Sequence, residues 1–503
     1  MKRNNIAKFS LTFLALAGIA TSGALGEMLP DSGLQGKKIL FIAGEPDEKH
    51  QSDDELVKNH LKAMGFSITG AAESELASKA DGADLVIISS TADPHLLKDT
   101  YRSVPVPIFT WNQPAYPALA MTGPDLHTDF EVVEPGHFYA RSFSELYAYA
   151  ANTTCEIARA VDLKPQLFGT FYLQPGTVGW GVPTQAATVV ANFEGYPRRA
   201  GLFTYEKGAT MVGGMPAPAR RVGFFMSSGN FHLLSAAFGP ARQDPDLNDW
   251  YKGLELFDAS VRWAVSPPPA PPKDDPAALR SALTSAAKGK KLLFVGRKKT
   301  PEGAEADAHM IDRLKESGFD VTFRDQTDPQ AGADQYDLIV LSATNSKYKL
   351  SNKYRDATVP ILCLEGLFAD TLRMAGRNRY VDYGEHGEEK ESDDPADNSL
   401  RIINPNNEMS AGLSGVVQFI KEKDVLKWAK PGPGATIVAT LPDMMEQAAI
   451  FGYDKGSTMD GYYVAPARRV LFPLDNPAFD NLTPKGLALF DAAVLWSISK
   501  AGS

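Results

Sequence analysis

The stretch GKKILF at residues 36–41 decides how this chain is interpreted, because it recurs as GKKLLF at residues 289–294. Downstream, DLVIIS at residues 84–89 recurs as DLIVLS at residues 337–342, at the same distance from the first match. Short apolar runs bounded by glycine and polar residues are typical of buried strands. The two pairs of stretches therefore predict that one α/β domain is present twice.

Further matches extend the repeat to its C-terminal end. FTYEKGATM at 203–211 recurs as FGYDKGSTM at 451–459, APARRV at 217–222 recurs at 465–470, and LFDA at 256–259 recurs at 489–492. Ordered self-similarity of this kind is the signature of a duplicated unit. The intervening SPPPAPP at 266–272 has the composition of a stiff, extended spacer. We predict repeats at residues 36–266 and 289–500, joined by a proline-rich linker at 267–288.

The order of apolar runs within one repeat predicts the fold class. A strand at 38–43 is followed by a helix ending at Gly65, and further apolar strands follow at 85–89 and 107–111. This alternation predicts a mainly parallel sheet with helices on its faces. The last third of the repeat predicts antiparallel strands at 200–205, 211–212 and 221–226, closed by an amphipathic helix over 253–264. We expect two tandem flavodoxin-like domains, each with an antiparallel C-terminal extension.

The beginning of the chain has the features of an export signal. Lys2, Arg3 and Lys8 precede an almost uncharged stretch at residues 9–25, and small residues at 24–26 fit a cleavage site. The apolar stretch is shorter than the ~20 residues that a membrane span needs. We therefore predict a signal peptide at residues 1–26 and a periplasmic or secreted protein, with an uncleaved anchor as the alternative.

Composition excludes several kinds of partner and site. The formal net charge of −10 argues against nucleic acid and anionic membrane surfaces, which need clustered lysine and arginine. The only cysteines, Cys155 and Cys363, lie in different halves at non-equivalent positions. They exclude a disulfide framework and a cysteine-based zinc site. No motif calls for a cofactor or a metal, and no later stretch is long and apolar enough to span a bilayer.

Several residues connect this layout with a known group of proteins. They are Gly44 and His50 after the first strand, the Tyr-Glu-Lys-Gly turn at 205–208, and the closing Val-Arg-Trp-Ala helix at 261–264. The layout resembles the ThuA-like (trehalose-utilisation) group of the class I glutamine amidotransferase-like, flavodoxin-like superfamily. It also resembles an uncharacterised repeat of secreted bacterial proteins that carries the APARRV signature. The resemblance implies a fold, whereas this architecture hosts enzymes and inert modules alike.

Cys363 occupies the position at which the amidotransferase-like superfamily has its nucleophile, immediately after a strand. The matching position of the first repeat is Thr110, and Glu365 stands where a small residue is needed. A cysteine nucleophile also needs a base such as histidine. His309 and His386 are the only histidines of the second half, and neither belongs to a recognisable pattern. Cys363 is therefore predicted to be a small core residue.

Four residues of the first repeat are candidates for contacting a ligand at the edge of the sheet. His50 follows the first strand, at the carboxyl end where open α/β sheets bind ligands, and Trp111 and Asn112 follow a later strand. His127 lies on a loop that is expected to overhang the same edge. Histidine spacing does not support a metal site there.

The doubled arginine of APARRV is the fifth candidate. Neighbouring residues of a strand point to opposite faces, so only one arginine of each pair can face a given site. One arginine is predicted to pair with Glu206 or Asp454 on the neighbouring strand, which would be structural. The alternative is that Arg221 binds an anion or a sugar through its bidentate guanidinium.

Three functions from different classes remain open. The first is an exported, non-catalytic module that binds a carbohydrate, a cell-envelope component or a protein partner. The second is a carbohydrate- or amide-processing hydrolase with its site in the first repeat only. The third is a structural envelope protein. The difference between the two copies discriminates them, because a single active site predicts one polar pocket in the first copy, whereas a binding module predicts similar grooves or aromatic patches in both.

Overall fold

The computed structural model describes most of the chain between residues 33 and 499. The described ranges are 33–44, 51–133, 147–165, 167–169, 177–193, 198–227, 229–234, 252–268, 270, 272–297, 301–386, 398–475 and 479–499. The predicted signal peptide at 1–26 and the candidate His50 lie outside them. Within these ranges, no helix is long and apolar enough to cross a membrane.

The first repeat contains eleven described strands and four α-helices. The strands are β1 (Lys38–Ala43), β2 (Ser67–Ala72), β3 (Leu85–Ile88), β4 (Ile108–Thr110), β5 (Phe130–Val133), β6 (Tyr147–Ala150), β7 (Leu167–Gly169), β8 (Val178–Gly181), β9 (Thr188–Phe193), β10 (Ala200–Tyr205) and β11 (Arg221–Gly223). The helices are α1 (Gln51–Met64), α2 (Pro94–Leu97), α3 (Glu156–Ala160) and α4 (Gly253–Val265).

The second repeat also contains eleven described strands, and it is preceded by one additional helix. The strands are β12 (Lys291–Gly296), β13 (Asp320–Asp325), β14 (Leu338–Leu341), β15 (Ile361–Cys363), β16 (Tyr383–His386), β17 (Ser399–Ile402), β18 (Gly415–Gln418), β19 (Leu426–Ala429), β20 (Thr436–Leu441), β21 (Met444–Tyr453) and β22 (Arg469–Leu471). The helices are α5 (Pro276–Ala287), α6 (Pro301–Glu316), α7 (Lys347–Leu350) and α8 (Pro484–Ile498).

Each repeat forms one sheet, and the two sheets have the same strand order. The first runs β2-β1-β3-β4-β11-β10-β9-β6-β7, and the second runs β13-β12-β14-β15-β22-β21-β20-β17-β18. The first five strands of each order are parallel, in the 2-1-3-4-5 arrangement of flavodoxin-like sheets. The remaining strands are antiparallel. The predicted fold class, two tandem flavodoxin-like domains with antiparallel extensions, is confirmed.

The helices cover the parallel strands because their apolar residues fall on one side. Val57, Leu61 and Met64 of α1 are buried against β1 and β3, and Gly65 ends the helix with a φ of 114°. At such positive φ values a residue with a Cβ is strained, so glycine is favoured at this position. Helix α4 packs on the same face as α1.

Two segments differ from the sequence-based prediction. Residues 211–212 are predicted to form a strand but lie at a tight turn, because Gly213 and Gly214 both adopt positive φ. The predicted linker at 267–288 contains helix α5, which Asp275 caps by accepting a hydrogen bond from the Ala278 amide. Leu283 is fully buried in the core of the second repeat, so α5 belongs structurally to that repeat.

Candidate ligand site at the carboxyl edge of the second sheet

An aspartate at the same place in each repeat joins the first helix to the loop after the third strand. Asp54 accepts hydrogen bonds from the hydroxyl groups of Ser89 and Thr91, at 2.6 and 2.8 Å. Asp307 accepts the equivalent bonds from Ser342 and Thr344, at 2.5 and 2.9 Å. Burial raises the pKa of both carboxyl groups, that of Asp307 to about 6. Since both copies have this network, we interpret it as part of the fold.

A group of charged residues lies at the carboxyl end of β15 in the second repeat. Its centre is Lys427 on β19, whose side-chain nitrogen contacts the carboxylates of Glu385, Asp475 and Glu365. The distances to Asp475 and Glu365 are 3.4 and 3.9 Å. Glu365 also accepts a hydrogen bond from the Leu367 amide at 2.9 Å. We refer to Glu365, Glu385, Lys427 and Asp475 as the Lys427 cluster.

The Lys427 cluster is largely removed from solvent, and its protonation is altered accordingly. Lys427 and Glu365 are only 2% and 6% exposed, whereas the Asp475 side chain is 26% exposed. Burial raises the pKa of Glu365 to about 7, although Lys427 opposes the shift. Burial also tends to lower the pKa of Lys427, but the surrounding carboxylates outweigh it and raise this pKa overall. The cluster therefore combines a permanent ammonium ion with a carboxyl group that exchanges its proton near neutral pH.

A second group of polar residues lies along the same strand, β16. Lys347 donates hydrogen bonds to Asp370 and to the Tyr383 hydroxyl, at 2.8 and 2.7 Å. Tyr383 donates to the same Asp370 oxygen at 3.2 Å. Because Tyr383 and Glu385 are two residues apart on a strand, they point to the same face. The Lys347 triad, which consists of Lys347, Asp370 and Tyr383, therefore lies on the same side of β16 as the Lys427 cluster.

Two exposed tyrosines belong to the segments that carry these groups. Tyr348 follows Lys347 directly and is 94% exposed, and Tyr380 lies on the turn before β16 and is 59% exposed. The guanidinium of Arg379 lies 4.8 Å from the centroid of the Tyr380 ring and donates to Glu385. An exposed aromatic ring is thus connected through Arg379 and Glu385 to Lys427.

The corresponding positions of the first repeat are uncharged. The Lys427 cluster is replaced by Asn112, Val132, Gly179 and Ser227, and the Lys347 triad is replaced by Pro94, Pro117 and Phe130. Both sets follow from the paired strands: Asn112 and Glu365 each stand two residues beyond β4 or β15. The repeats therefore share a backbone but differ in the chemistry of this edge.

One exchange of side chains shows how the two edges keep their packing. In the first repeat, Gln113 fills the space beside Gly179, where an added Cβ would lie 1.9 Å from the Gln113 amide carbon. In the second repeat, Lys427 fills the space beside Gly366, where an added Cβ would lie 2.5 Å from the Lys427 Cβ. Gln113 donates to the carbonyls of Phe224 and Met226. A neutral amide thus fills in the first copy the volume that an ammonium side chain fills in the second.

Trp111 and Asn112 lie at the predicted edge, but their side chains serve different surroundings. Trp111 is 1% exposed and packs against Phe41 and Phe257, and its indole nitrogen has no acceptor among the described residues. The Asn112 amide donates to the carbonyls of Ser89 and Ala92, at 3.0 and 2.7 Å. Their contacts hold the core and the loops together, and neither side chain is presented to solvent.

His127 and Arg221 do not join Trp111 and Asn112 in one site. The ring of His127 is largely exposed and contacts Glu131 at 2.6 Å, in a turn where its φ is 66°. Arg221 is fully buried at the start of β11, level with Ile108 at the start of β4. Parallel strands begin at the edge opposite to their carboxyl ends. Arg221 therefore lies at the far end of the sheet from Trp111.

The arginine pairs have the structural role that the sequence predicted as one alternative. Arg220 pairs with Glu206 at 2.9 Å, and Arg468 pairs with Asp454 at 2.7 Å. Arg221 donates to the backbone carbonyls of Val104 and Val106, which precede β4. The neighbouring arginines thus point in different directions, as expected in a strand.

The remaining candidates for catalysis and metal binding are equally clear. Cys363 is fully buried, and burial raises the pKa of its thiol far above the ordinary value. This agrees with its prediction as a core residue. Among the residues that the structure describes, no three histidine, cysteine or acidic side chains are arranged to hold a metal ion.

Sequence reasoning does not identify the Lys427 cluster. Glu365 stands out in the sequence only as a departure from the nucleophile motif, and Lys427, Glu385 and Asp475 come from three other segments of the chain. A comparison of the two repeats, position by position after each strand, would have shown charged residues on one side and neutral residues on the other. The three-dimensional grouping of those charges could not be obtained without the fold.

Comparisons with known proteins find similar folds at low identity. No family model matches the chain, and no curated protein matches it. A solved ThuA-like protein from Bacteroides uniformis is 10% identical, with a TM-score of 0.29, and the match covers 50% of this chain and 97% of that one. For a ThuA-like protein from Parabacteroides merdae the values are 16%, 0.27, 43% and 92%. For a GMP synthase subunit from Thermoplasma acidophilum they are 12%, 0.27, 45% and 93%.

Proposed function

We propose that this chain is an exported, non-catalytic tandem module that binds a carbohydrate at the carboxyl edge of its second sheet. The observation that carries the proposal is the Lys427 cluster, which is confined to one of two otherwise matching edges. Buried charges destabilise a fold unless their interactions compensate for lost hydration. A fold-maintaining role would be expected in both copies, as it is for Asp54 and Asp307, so the asymmetry favours a functional role.

The chemistry of this edge suits a polyhydroxylated ligand. Sugar hydroxyl groups both donate and accept hydrogen bonds, and the edge offers carboxylates, two ammonium groups and a tyrosine hydroxyl. Its charges nearly balance, with Lys347, Arg379 and Lys427 facing four carboxylates. Exposed aromatic rings provide apolar faces on which sugar rings stack. Tyr348 and Tyr380 would supply these faces, while Asp475 is the cluster member most accessible to a ligand.

The test uses the full mature chain on an oligosaccharide array that includes cell-wall fragments, followed by calorimetric titration of the strongest binder. Replacing Tyr348 and Tyr380 by alanine should weaken binding by about tenfold for each ring that stacks on the sugar. The matched control replaces His95 and His127, the equivalent residues of the first repeat, and should leave the affinity unchanged. Equal losses in both pairs of variants would remove the second edge as the site.

The first repeat provides a variant that removes the charges while preserving the packing. Substituting Glu365→Asn, Gly366→Gln and Lys427→Gly together recreates the Asn112, Gln113 and Gly179 arrangement in the second repeat. We expect a folded protein, by circular dichroism, that no longer binds the oligosaccharide. Unchanged binding would contradict the proposal, and absence of any array binding by the wild-type chain would favour the structural alternative.

A hydrolase is the second candidate, and one observation favours it. Glu365 has a pKa of about 7, which suits a group that gives and takes a proton at neutral pH. The sequence predicts a hydrolytic site in the first repeat, whereas this carboxyl group lies in the second. If the chain is a hydrolase, it should release reducing ends from the bound oligosaccharide, and Glu365→Gln should abolish release while retaining binding. No release by the wild-type chain would exclude this candidate for that ligand.

A further inference from the structure

The contact between the two repeats is built twice, with the roles of the partners exchanged. The Thr210 amide, after β10, donates to the carbonyl of Ile403, after β17, at 3.0 Å. The Thr458 amide, after β21, donates to the carbonyl of Ala151, after β6, also at 3.0 Å. Thr210 and Thr458 are equivalent, and so are Ala151 and Ile403. The same pair of elements therefore meets on both sides of an approximate twofold axis.

Side-chain hydrogen bonds follow the same exchange. The hydroxyl of Thr153 donates to the Gly456 carbonyl at 2.9 Å, and the side-chain amide of Asn406 donates to the Lys207 carbonyl. Each bond joins the segment after β6 or β17 to the Lys-Gly turn of the opposite repeat. The Thr458 hydroxyl adds a bond to the Ala150 carbonyl at 2.7 Å. The FTYEKGATM and FGYDKGSTM stretches are thus the parts of each repeat that contact the other.

Apolar packing continues across this contact. Met211 and Ile403 are fully buried in one hydrophobic cluster that includes residues of both repeats, as is Met459. The backbones also approach closely, since a Cβ on Gly434 would lie 2.3 Å from the Ala151 carbonyl oxygen. Continuous packing of this kind is expected in a permanent interface and not between domains that move independently.

We infer that each repeat carries a self-complementary surface of the kind that forms a twofold homodimer, and that its partner is the other repeat of the same chain. A surface that meets its own equivalent is the definition of an isologous interface. The linker then raises the local concentration of the partner but contributes none of the contacts above. The repeats should remain bound to each other when the linker is cut.

The test severs the linker in the folded, full-length protein. A protease site is inserted at Ala270, within the proline-rich stretch, and the purified chain is cleaved and analysed by size-exclusion chromatography with light scattering. We expect one species with the mass of both fragments, at concentrations down to about 1 µM, as for specific protein complexes. Two separate species at that concentration would overturn the inference. This outcome is independent of any ligand, so it does not depend on the proposed function.

Two threonines allow the interface itself to be tested. Thr153→Val and Thr458→Val together remove both hydroxyl bonds to the opposite repeat and should raise the dissociation constant of the severed pair about tenfold or more. The control is Thr284→Val, whose hydroxyl bonds only within helix α5, to the Arg280 carbonyl. Dissociation of the double variant no greater than that of the control would contradict the assignment of the contact.

Discussion

Glu365 shows how one residue acquires unusual chemistry from its position. It lies two residues beyond β15, so the strand carries its carboxyl group beneath the β16 and β19 pair and away from water. A buried carboxyl group prefers its neutral form, and the nearby Lys427 only partly restores the charged form. At neutral pH this single side chain is therefore divided between two protonation states.

The folding stability of a Glu365→Gln variant should depend on pH differently from that of the wild type. The folded-state pKa is about 7 and the ordinary value is 4.5, so the unfolded chain loses this proton first as the pH rises. The wild type therefore loses stability relative to the variant between about pH 4.5 and pH 7, by up to about 1.4 kcal/mol per pH unit, with no further change above. Urea unfolding of both proteins across this range measures the difference.

The control for this titration is Glu446→Gln, which changes a largely exposed carboxylate. Its difference from the wild type should stay nearly constant over the same pH range, because exposed ion pairs contribute little. If the Glu365→Gln difference were equally flat, the raised pKa of Glu365 would be refuted.

At the scale of single residues, the sequence predicted some roles and could not predict others. The burial of Cys363 followed from its apolar neighbours and from the threonine in the other copy. The pairing of Arg220 with Glu206 followed from the strand order. Trp111 has the composition of a sugar-binding residue, but its packing among other aromatic rings depends on helix α4, which lies far away in the sequence.

Among the elements, β11 and β22 have an unusual task, because each begins with a buried arginine. The Arg221 guanidinium donates to carbonyls of the loop before β4, and Arg469 does the same before β15 through the carbonyls of Ala357 and Val359. Burial lowers the pKa of both groups, to about 9 and about 10. The strands are thereby joined to the loops that precede their parallel neighbours.

Arg221→Lys should destabilise the protein although it preserves the positive charge. A lysine ammonium is a single point of donation and cannot replace a planar fork that bonds several carbonyls at once. Leaving buried carbonyls unpaired should lower the free energy of unfolding by about 2–3 kcal/mol. Arg469→Lys is the matched variant in the second repeat and should have a similar effect in urea unfolding. A loss below about 0.5 kcal/mol in both would refute the capping role.

Prediction of the elements was accurate where one periodicity extended over several residues. Strand β1, helix α1 and helix α4 have continuous apolar patterns and were predicted to within a few residues. Helix α5 was missed because the prolines before it dominate the composition, although Asp275 and Pro276 form a good helix start. The strands β5 to β9 were missed because they are short and separated by long connections.

For the whole molecule, the sequence predicted two copies but not how they are joined. The repeat was visible in six ordered stretches, whereas the contact between copies depends on backbone groups that carry no residue signature. Only the retention of FTYEKGATM pointed towards it, and that signal was equally consistent with a purely internal turn. The arrangement of the halves is a property of the folded molecule.

A shared core makes the two repeats one cooperative unit. Destabilising the first repeat with Arg221→Lys should therefore also increase amide hydrogen exchange in β12, β14 and β15 of the second, because sub-global opening of one half removes part of the other's packing. Hydrogen exchange with mass spectrometry measures this by segment. Protection of those strands identical to that of the wild type would show that the halves open independently.

The Gln113 and Gly179 pair has a consequence for how this chain can change over time. Because the neutral edge keeps one half rigid, the charged edge of its twin is free to accumulate substitutions that a lone domain would not survive. Duplication here separates resilience from novelty: one copy preserves the architecture, and the other explores chemistry while leaning on it.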